Sequence, residues 1–401
     1  MSAPSALLEA ETVDVAALVD RFTRKFGRAG DAPLVFHAPG RVNLLGEHTD
    51  RTGGLVFPCG IDRGTHLVVR RNGEHRYRFA STNFELMGEL GPEEIERTWG
   101  DTWINYPLGI MDRFRRRGVA LDGVDCLFSG NIPNGVGLSS SASIEIVMAL
   151  ALDALHATGI ERMELVKMAQ AAENEFVGMS CGIMDQFAVA MARDGHAVLL
   201  DCATLEHRQV PLALGEHVLV VANTNQRREL NESAYNERVA ECDRALAVLA
   251  APLGVERLGQ VTPSMLESVR ARFDDDPVAW RRALHIATEN ERVRVAVPAL
   301  EAGHLARFGE LMDASHASLR DLYEVSSGPL DALVSLARER PGTLGARLTG
   351  AGFGGCTVNL VEAAGARAFA REVGAAYTRE TGLTADFYRV HPGPGATRVT
   401  R

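Results

Sequence analysis

The chain has 401 residues, 46% of them hydrophobic and 23% charged, with a formal net charge of −10. That length allows one large domain or two to three ordinary ones, and the composition excludes disorder along the whole chain. The acidic balance argues against a main task on nucleic acid or an anionic membrane, and no run of 18 apolar residues is present to span a bilayer.

Met1 to Asp20 holds four acidic residues and no early basic cluster, so no secretory signal is expected. After residue 30, strand-like runs alternate with turns at Leu34–His37, Thr65–Arg71 and Arg76–Ala80. Asn131 to Gly137 reads as a turn, and two helices follow, Leu138–His156 and Met163–Val177. Ala197–Asp201 and His217–Ala222 read as buried strands, and Arg228–Ala250 as a long helix. Val261–Arg338 is expected to be largely helical, broken at Asp274–Asp276 and at Ser326–Pro329. The ending, strands Gly345–Thr349 and Cys356–Val361, helix Glu362–Thr381 and strand Ala385–Val390, predicts a small α+β lobe with an antiparallel sheet. The mixed first half predicts a second α+β lobe, with the boundary near residue 215 and a substrate cleft between the two.

Six cysteines, at 59, 126, 181, 202, 242 and 356, form no C-x-x-C pair. A zinc ribbon, a thioredoxin-like pair and a disulfide framework are disfavoured, and reduced thiols in a cytoplasm are expected. Lysine occurs only at positions 25 and 167, and neither lysine follows a glycine. The Walker A ending G-K-[ST] is therefore absent, as are V-A-I-K, H-R-D and D-F-G, which removes P-loop NTPases and protein kinases.

Four segments carry candidate chemistry. Ala38 to Asp50 packs Arg41, Asn43, Glu47, His48 and Asp50 among glycines and prolines, a set of donors and acceptors suited to a ligand rich in hydroxyls, or to a self-satisfied polar turn. Pro133-Asn-Gly-Val-Gly-Leu-Ser-Ser-Ser-Ala-Ser143 opens a helix; its glycines allow close backbone approach and its free N–H groups favour a phosphate, while a plain N-capped helix is the alternative. Gly178 to Phe187 sets Asp185 in an apolar context, as an acid or base or as a core-paired aspartate. Gly178-x-Ser180-x-Gly182 also fits the nucleophile elbow of hydrolases, but the residues before it read as helix, not strand. Thr349 to Cys356 contains G-x-G-x-x-G followed by a strand-like run, so the dinucleotide-binding context fails; a phosphate-approaching turn and a hairpin both remain open.

In order and spacing, these segments resemble the three signature motifs of the GHMP small-molecule kinases, and the first resembles the sugar motif of that family's galactose-phosphorylating branch. The resemblance continues through Cys181–Phe187, Asn223–Asn225, Ser233–Asn236, Ser315–Asp321 and Arg347–Cys356, covering roughly residues 30 to 395. It implies a two-lobed α+β fold, with a ribosomal-protein-S5-like lobe over residues 1–215 and a ferredoxin-like lobe with extra helices over 216–401. It implies transfer of the ATP γ-phosphate to the anomeric hydroxyl of galactose, with Mg2+ as cofactor. Carried over by motif, Asp185 is the catalytic base or proton acceptor, with Arg41 beside it. A guanidinium beside a carboxylate favours the charged form and lowers its basicity. Positioning and charge neutralisation are therefore expected to outweigh proton abstraction.

Glu47, His48, Asp50, Gly182 and Tyr235 match sugar-contacting positions of the family. Gly135, Gly137, Ser139, Ser140 and Ser141 match its phosphate loop, and Trp103 its adenine-flanking tryptophan, with a core tryptophan as the other reading of Trp103. Ser141 and Glu173 match its magnesium-associated pair. Arg51 and Leu322 depart from the usual pattern, at positions where tyrosine and a second aspartate are common. The expected partners are sugar and ATP, with no nucleic acid and no membrane, and the chain is expected to be a monomer or weak homo-oligomer. A related sugar such as galactosamine, N-acetylgalactosamine or arabinose is the alternative acceptor. A non-catalytic sugar sensor is disfavoured by the intact Ser139–Ser143 string.

Overall fold

A computed structural model describes residues 5–95, 100, 102–133, 137–226 and 231–399. The alternation after residue 30 becomes a six-stranded sheet, ordered Thr397–Arg398, Leu34–Asn43, Pro58–Arg71, Val124–Gly130, Tyr77–Ser81 and Gly88–Leu90. The Leu34 strand runs past its expected end at His37 because Pro39-Gly40, a turn signal in sequence, is absorbed as an irregularity in the pairing. Pro39 opposes Gly64, Arg41 opposes Gly60, and residues 61–63 face Gly40 alone. Such a register break re-aims the residues beyond it, and Arg41 is the first of them.

The second sheet has five strands, ordered Leu7–Leu8, Asp386–Val390, His217–Asn223, Cys356–Glu362 and Thr343–Thr349, antiparallel except at the Leu7–Leu8 edge. Strands Leu55–Val56, His196–Asp201 and His207–Pro211 form a small third sheet. The two large sheets exchange their ends: Leu7–Leu8 pairs with Phe387–Tyr388, and Thr397–Arg398 pairs with Phe36–His37. One apolar core lies across both halves, joining Val42, Leu44 and Phe57 to Val221, Val293 and Val358.

The predicted helix after the serine string is Ser140–His156. The predicted Met163–Val177 helix is Arg162–Ala171 followed by a wider π turn, Ala172–Val177, that carries Glu173 to a buried position. Pi turns inside α-helices recur at functional sites. The largely helical segment contains Pro277–Glu301, whose buried side includes Arg282, His285, Glu289 and Asn290. All six cysteines are free thiols. Among the described residues, no helix is long and apolar enough to cross a membrane.

Candidate active site

Beyond the register break, Arg41 is buried and aims its guanidinium at the start of the helix Met184–Met191. Its Nε donates to Asp185 Oδ1 at 2.8 Å and its Nη2 to Oδ2 at 2.7 Å, a bidentate pair. Nη1 donates to the Gly137 carbonyl at 2.6 Å, which ties the same guanidinium to the glycine–serine segment before the helix Ser140–His156. Ser139 was expected in the phosphate-binding segment, with a plain helix cap as the alternative reading of that serine string. It sits in the left-handed region at φ +60 with no capping bond, and its hydroxyl donates to Asp185 Oδ2 at 2.5 Å. Three donors thus fill three of the roughly four lone-pair sites of this carboxylate. Its side chain keeps 29% exposure, on a cavity of about 270 Å³.

Arg41, Glu47, His48, Asp50, Gly137, Ser139, Ser140, Ser141, Glu173, Gly182, Asp185 and Tyr235 all line that cavity. Segments separated by more than a hundred residues therefore meet in one space. Gly350 and Ala351 of the third motif close it. Gly350 has φ +84, and a Cβ there would stand 2.9 Å from the Gly137 carbonyl, so the glycine turn packs directly on the Gly137 backbone.

The sugar-motif side is held from behind by the helix Pro277–Glu301. Glu289 Oε1 accepts from the Gly46 amide at 2.9 Å and from the Ser315 hydroxyl at 2.7 Å, while Oε2 accepts from Arg292 Nε at 2.6 Å. Burial alone would raise this carboxyl, but Arg292, His285 and Arg347 hold it at about 2. His285 Nε2 meets the Glu47 carbonyl at 3.1 Å, and Asn290 Oδ1 accepts from the Leu55 amide at 2.8 Å. Glu47 itself is 2% exposed and is reached by Arg347 Nη2 at 2.5 Å. Burial still pushes its carboxyl above the usual range, against the pull of Arg347 and Arg41.

His48 has φ +63 and its ring lies 4.7 Å from Tyr323 and 5.9 Å from Tyr235. Burial, reinforced by His285 and Arg347, lowers it to about 3, so the imidazole is neutral near pH 7. Asp50 is pushed up to about 6 by burial and by the charge of Asp185, while the amides of Arg51 and Met184 donate to it. A Cβ at Gly182 would stand 2.0 Å from Asp50 Oδ2, so only glycine leaves room for that carboxylate.

Behind the phosphate helix, Gln186 Nε2 donates to Glu173 Oε2 at 2.5 Å and to Glu145 Oε2 at 3.1 Å. Burial and Asp185 push Glu173 up to about 7, while Ser141 hydrogen-bonds to it. Burial and then Glu173 push Glu145 well above the carboxylate range. Ser141 and Glu173 give one hydroxyl and one carboxylate oxygen facing the cavity. Among the described residues no group of three or more His, Cys, Asp or Glu is arranged for a metal. A magnesium ion that keeps waters and phosphate oxygens needs only one or two protein ligands, which this pair fits.

Gly135 lies outside the described residues. Trp103 is not in the cavity wall; it stacks on Phe84 at 6.4 Å and meets Phe128 edge-on at 5.3 Å, while Tyr106 of the same segment lines the cavity. Ser180 follows the π turn, so the strand required by a nucleophile elbow is missing, and the third glycine motif leads into the strand Cys356–Glu362. Arg51 is exposed, and the Leu322 carbonyl accepts from Arg282 Nη1 at 2.6 Å. The sequence reading assigned no role to His285, Glu289, Asn290, Arg347, Glu145 or Gln186. Arg282, His285, Glu289 and Arg292 recur at helical spacing, a polar stripe that could have marked a buried polar face.

Three family profiles match the chain: the GHMP kinases N terminal domain over residues 105–193, the galactokinase galactose-binding signature over 20–71, and the GHMP kinases C terminal over 296–379. The chain is 46% identical to a galactokinase of Fusobacterium nucleatum, over 95% of this chain and 99% of that one. It is 45% identical to a galactokinase of Enterococcus faecalis, over the same shares of each chain. The crystal structure of Lactococcus lactis galactokinase complexed with galactose superposes with a TM-score of 0.93 at 39% identity, covering 96% of this chain and all of the other. A mevalonate kinase at 20% identity and a TM-score of 0.62, covering 89% of this chain and 98% of that one, shares the fold.

Proposed function

The chain belongs to the galactokinases of the GHMP kinase family, and from that premise we propose how its residues divide the work of phosphorylating galactose at the anomeric hydroxyl with ATP. Glu47, His48, Asp50, Gly182 and Tyr235 form the sugar end. A neutral His48 and the carboxylates of Glu47 and Asp50 supply the mixed donors and acceptors that sugar hydroxyls require. Gly137 and Ser139 to Ser141, at the opening of the helix Ser140–His156, form the phosphate end together with Gly135 of the same motif, and the free N–H groups and dipole of that helix start favour negative charge. Trp103 is assigned to the adenine side. Ser141 and Glu173 would hold Mg2+, which supplies charge neutralisation on the transferring phosphate when bound.

Asp185 stands between the two ends. Arg41 and Ser139 hold both of its oxygens, while the side chain keeps 29% exposure on the cavity, where a substrate hydroxyl can reach it. This is the observation that carries the assignment: the carboxylate is locked in orientation and stays open to the cavity. A bond forms from the sugar oxygen to the γ-phosphorus as the bond from that phosphorus to the bridging oxygen of ADP breaks. The hydroxyl proton passes to Asp185. Arg41 stabilises the charged carboxylate and weakens it as a base, so its larger contribution is to orient the nucleophile and balance charge in a loose transition state.

Replacing Asp185 by Asn is expected to lower kcat by roughly 10²- to 10⁴-fold, with ATP affinity by calorimetry within threefold of wild type. Near-normal turnover would refute the assignment. ADP release measured with galactose, galactosamine, N-acetylgalactosamine, glucose and arabinose sets the order of acceptors.

A further inference from the structure

Arg347 reaches the sugar end of the cavity without touching the cavity. We propose that Arg347 is a positioning residue for galactose, fixing the Glu47 carboxylate as an ionised acceptor from behind. The proposal rests on the reading of Glu47 as a sugar contact. Arg347 lies on the strand Thr343–Thr349, in the half of the chain opposite the sugar motif, and is 0% exposed. Nη2 contacts Glu47 Oε2 at 2.5 Å and Nη1 donates to the Asn43 carbonyl at 3.1 Å, so its guanidinium grips both ends of the turn that carries Glu47. Two residues along the strand, the Thr349 hydroxyl accepts from the Asn43 amide at 3.2 Å and donates to the Asn43 carbonyl at 3.1 Å, fixing the register of the grip. Glu47 lines the cavity and Arg347 does not.

A buried carboxylate without a counter-charge takes up a proton. One oxygen then becomes a donor, and its match to a sugar hydroxyl is inverted. Arg41 also acts on Glu47 through its charge, but its hydrogen bonds go to Asp185 and Gly137, whereas Arg347 is bonded to Glu47 itself. Arg347 is therefore the cation in direct contact with Glu47, and its effect should be confined to the sugar. The alternative is a merely structural role, in which Arg347 joins the two halves of the molecule and its loss weakens both substrates together.

The test is two-substrate kinetics on Arg347→Met, Arg347→Lys, Glu47→Gln and the Glu47→Gln/Arg347→Met double variant. Arg347→Met is expected to raise the galactose KM about 30-fold, the size of one lost charge-assisted bond, with ATP KM within twofold and kcat at saturating galactose down less than fivefold. Arg347→Lys, which keeps the charge but loses the fork, should fall between wild type and Met. In the Glu47→Gln background, Arg347→Met should add less than threefold, because the two residues act as one unit. Equal losses for galactose and ATP, or a full Arg347 effect persisting with Gln at position 47, would overturn the proposal. Should Arg347→Met fail to fold, the double variant, which leaves neither charge buried alone, is compared with Glu47→Gln on the same criterion. A normal galactose KM in Glu47→Gln overturns the assignment of Glu47 and this proposal with it. A raised KM there beside a normal one in Arg347→Met overturns this proposal alone.

Discussion

The sugar end and the phosphate end of the cavity are held by different means. The turn from Gly46 to Leu55 is closed on itself around Thr49, whose hydroxyl donates to the Gly46 and Leu55 carbonyls and whose own carbonyl accepts from Thr52 and Gly54, and it is gripped from outside by Glu289, Asn290, His285 and Arg347, residues more than 230 positions away. The phosphate end is anchored mainly at a helix start, by Arg41 to Gly137 and by Ser139 to Asp185, with the Gly350 turn resting on it. The sugar turn is thus a tertiary construction, and damage to it should appear in the galactose KM. The phosphate end is also joined across long stretches of sequence, but mainly by Arg41, Gly137, Ser139 and Asp185 of one half of the chain, and damage there should appear in kcat and in ATP.

Asp50 gives the largest separation. Asp50→Asn removes a charged acceptor and is expected to raise the galactose KM about 100-fold, with ATP KM within threefold. It should also stabilise the protein. The folded-state value of about 6 lies above the ordinary 3.8. The folded state therefore binds more protons than the unfolded chain between those values, and this group's stability is lost as pH rises through that window. Asn never ionises, so the variant should melt several degrees above wild type at pH 7.5, with the gap narrowing toward pH 4. A variant that melts lower at pH 7.5 would show that the carboxylate is compensated, and that the sugar end stores no cost in its buried charge.

Gly182→Ala probes the same end sterically. The new Cβ would meet Asp50 Oδ2 at 2.0 Å, so the carboxylate must move. A galactose KM about tenfold higher, with ATP KM unchanged, is expected from steady-state kinetics. An equal rise in both would mean that the displacement reaches Asp185 three residues on, and that the two ends are mechanically joined.

This division also explains what could be read from the chain alone. The contents of both ends were legible, because Glu47, His48, Asp50, the serine string and Asp185 stand in dense local motifs. The support of the sugar end was not. Glu289 and Asn290 sit in a helix whose polar stripe marks at most a buried polar face, and the buried Glu289 carboxylate gains its meaning from a partner 243 residues away. The Leu34 strand was read too short, ending at His37, because pairing continues on both sides of Pro39-Gly40. Ser139 was legible as a helix-start serine, but its backbone adopts φ +60 and its hydroxyl turns away from the helix to Asp185, a choice that only the assembled site dictates.

Ser139 supplies the smallest and most local test. Ala and Gly at this position both remove the hydroxyl and its 2.5 Å bond to Asp185. They differ in the backbone, because φ +60 strains Ala and suits Gly. Both variants should therefore lower kcat alike, by about tenfold, near the low end for one hydrogen bond to a charged group, and leave the galactose KM near normal. In urea unfolding the Gly variant should be the more stable of the two by about 1 kcal/mol. Equal stability would mean that the left-handed turn is imposed by the surrounding contacts at no cost. A galactose KM that moves with kcat would mean that Asp185 itself shifts, so that the sugar end depends on the phosphate end after all.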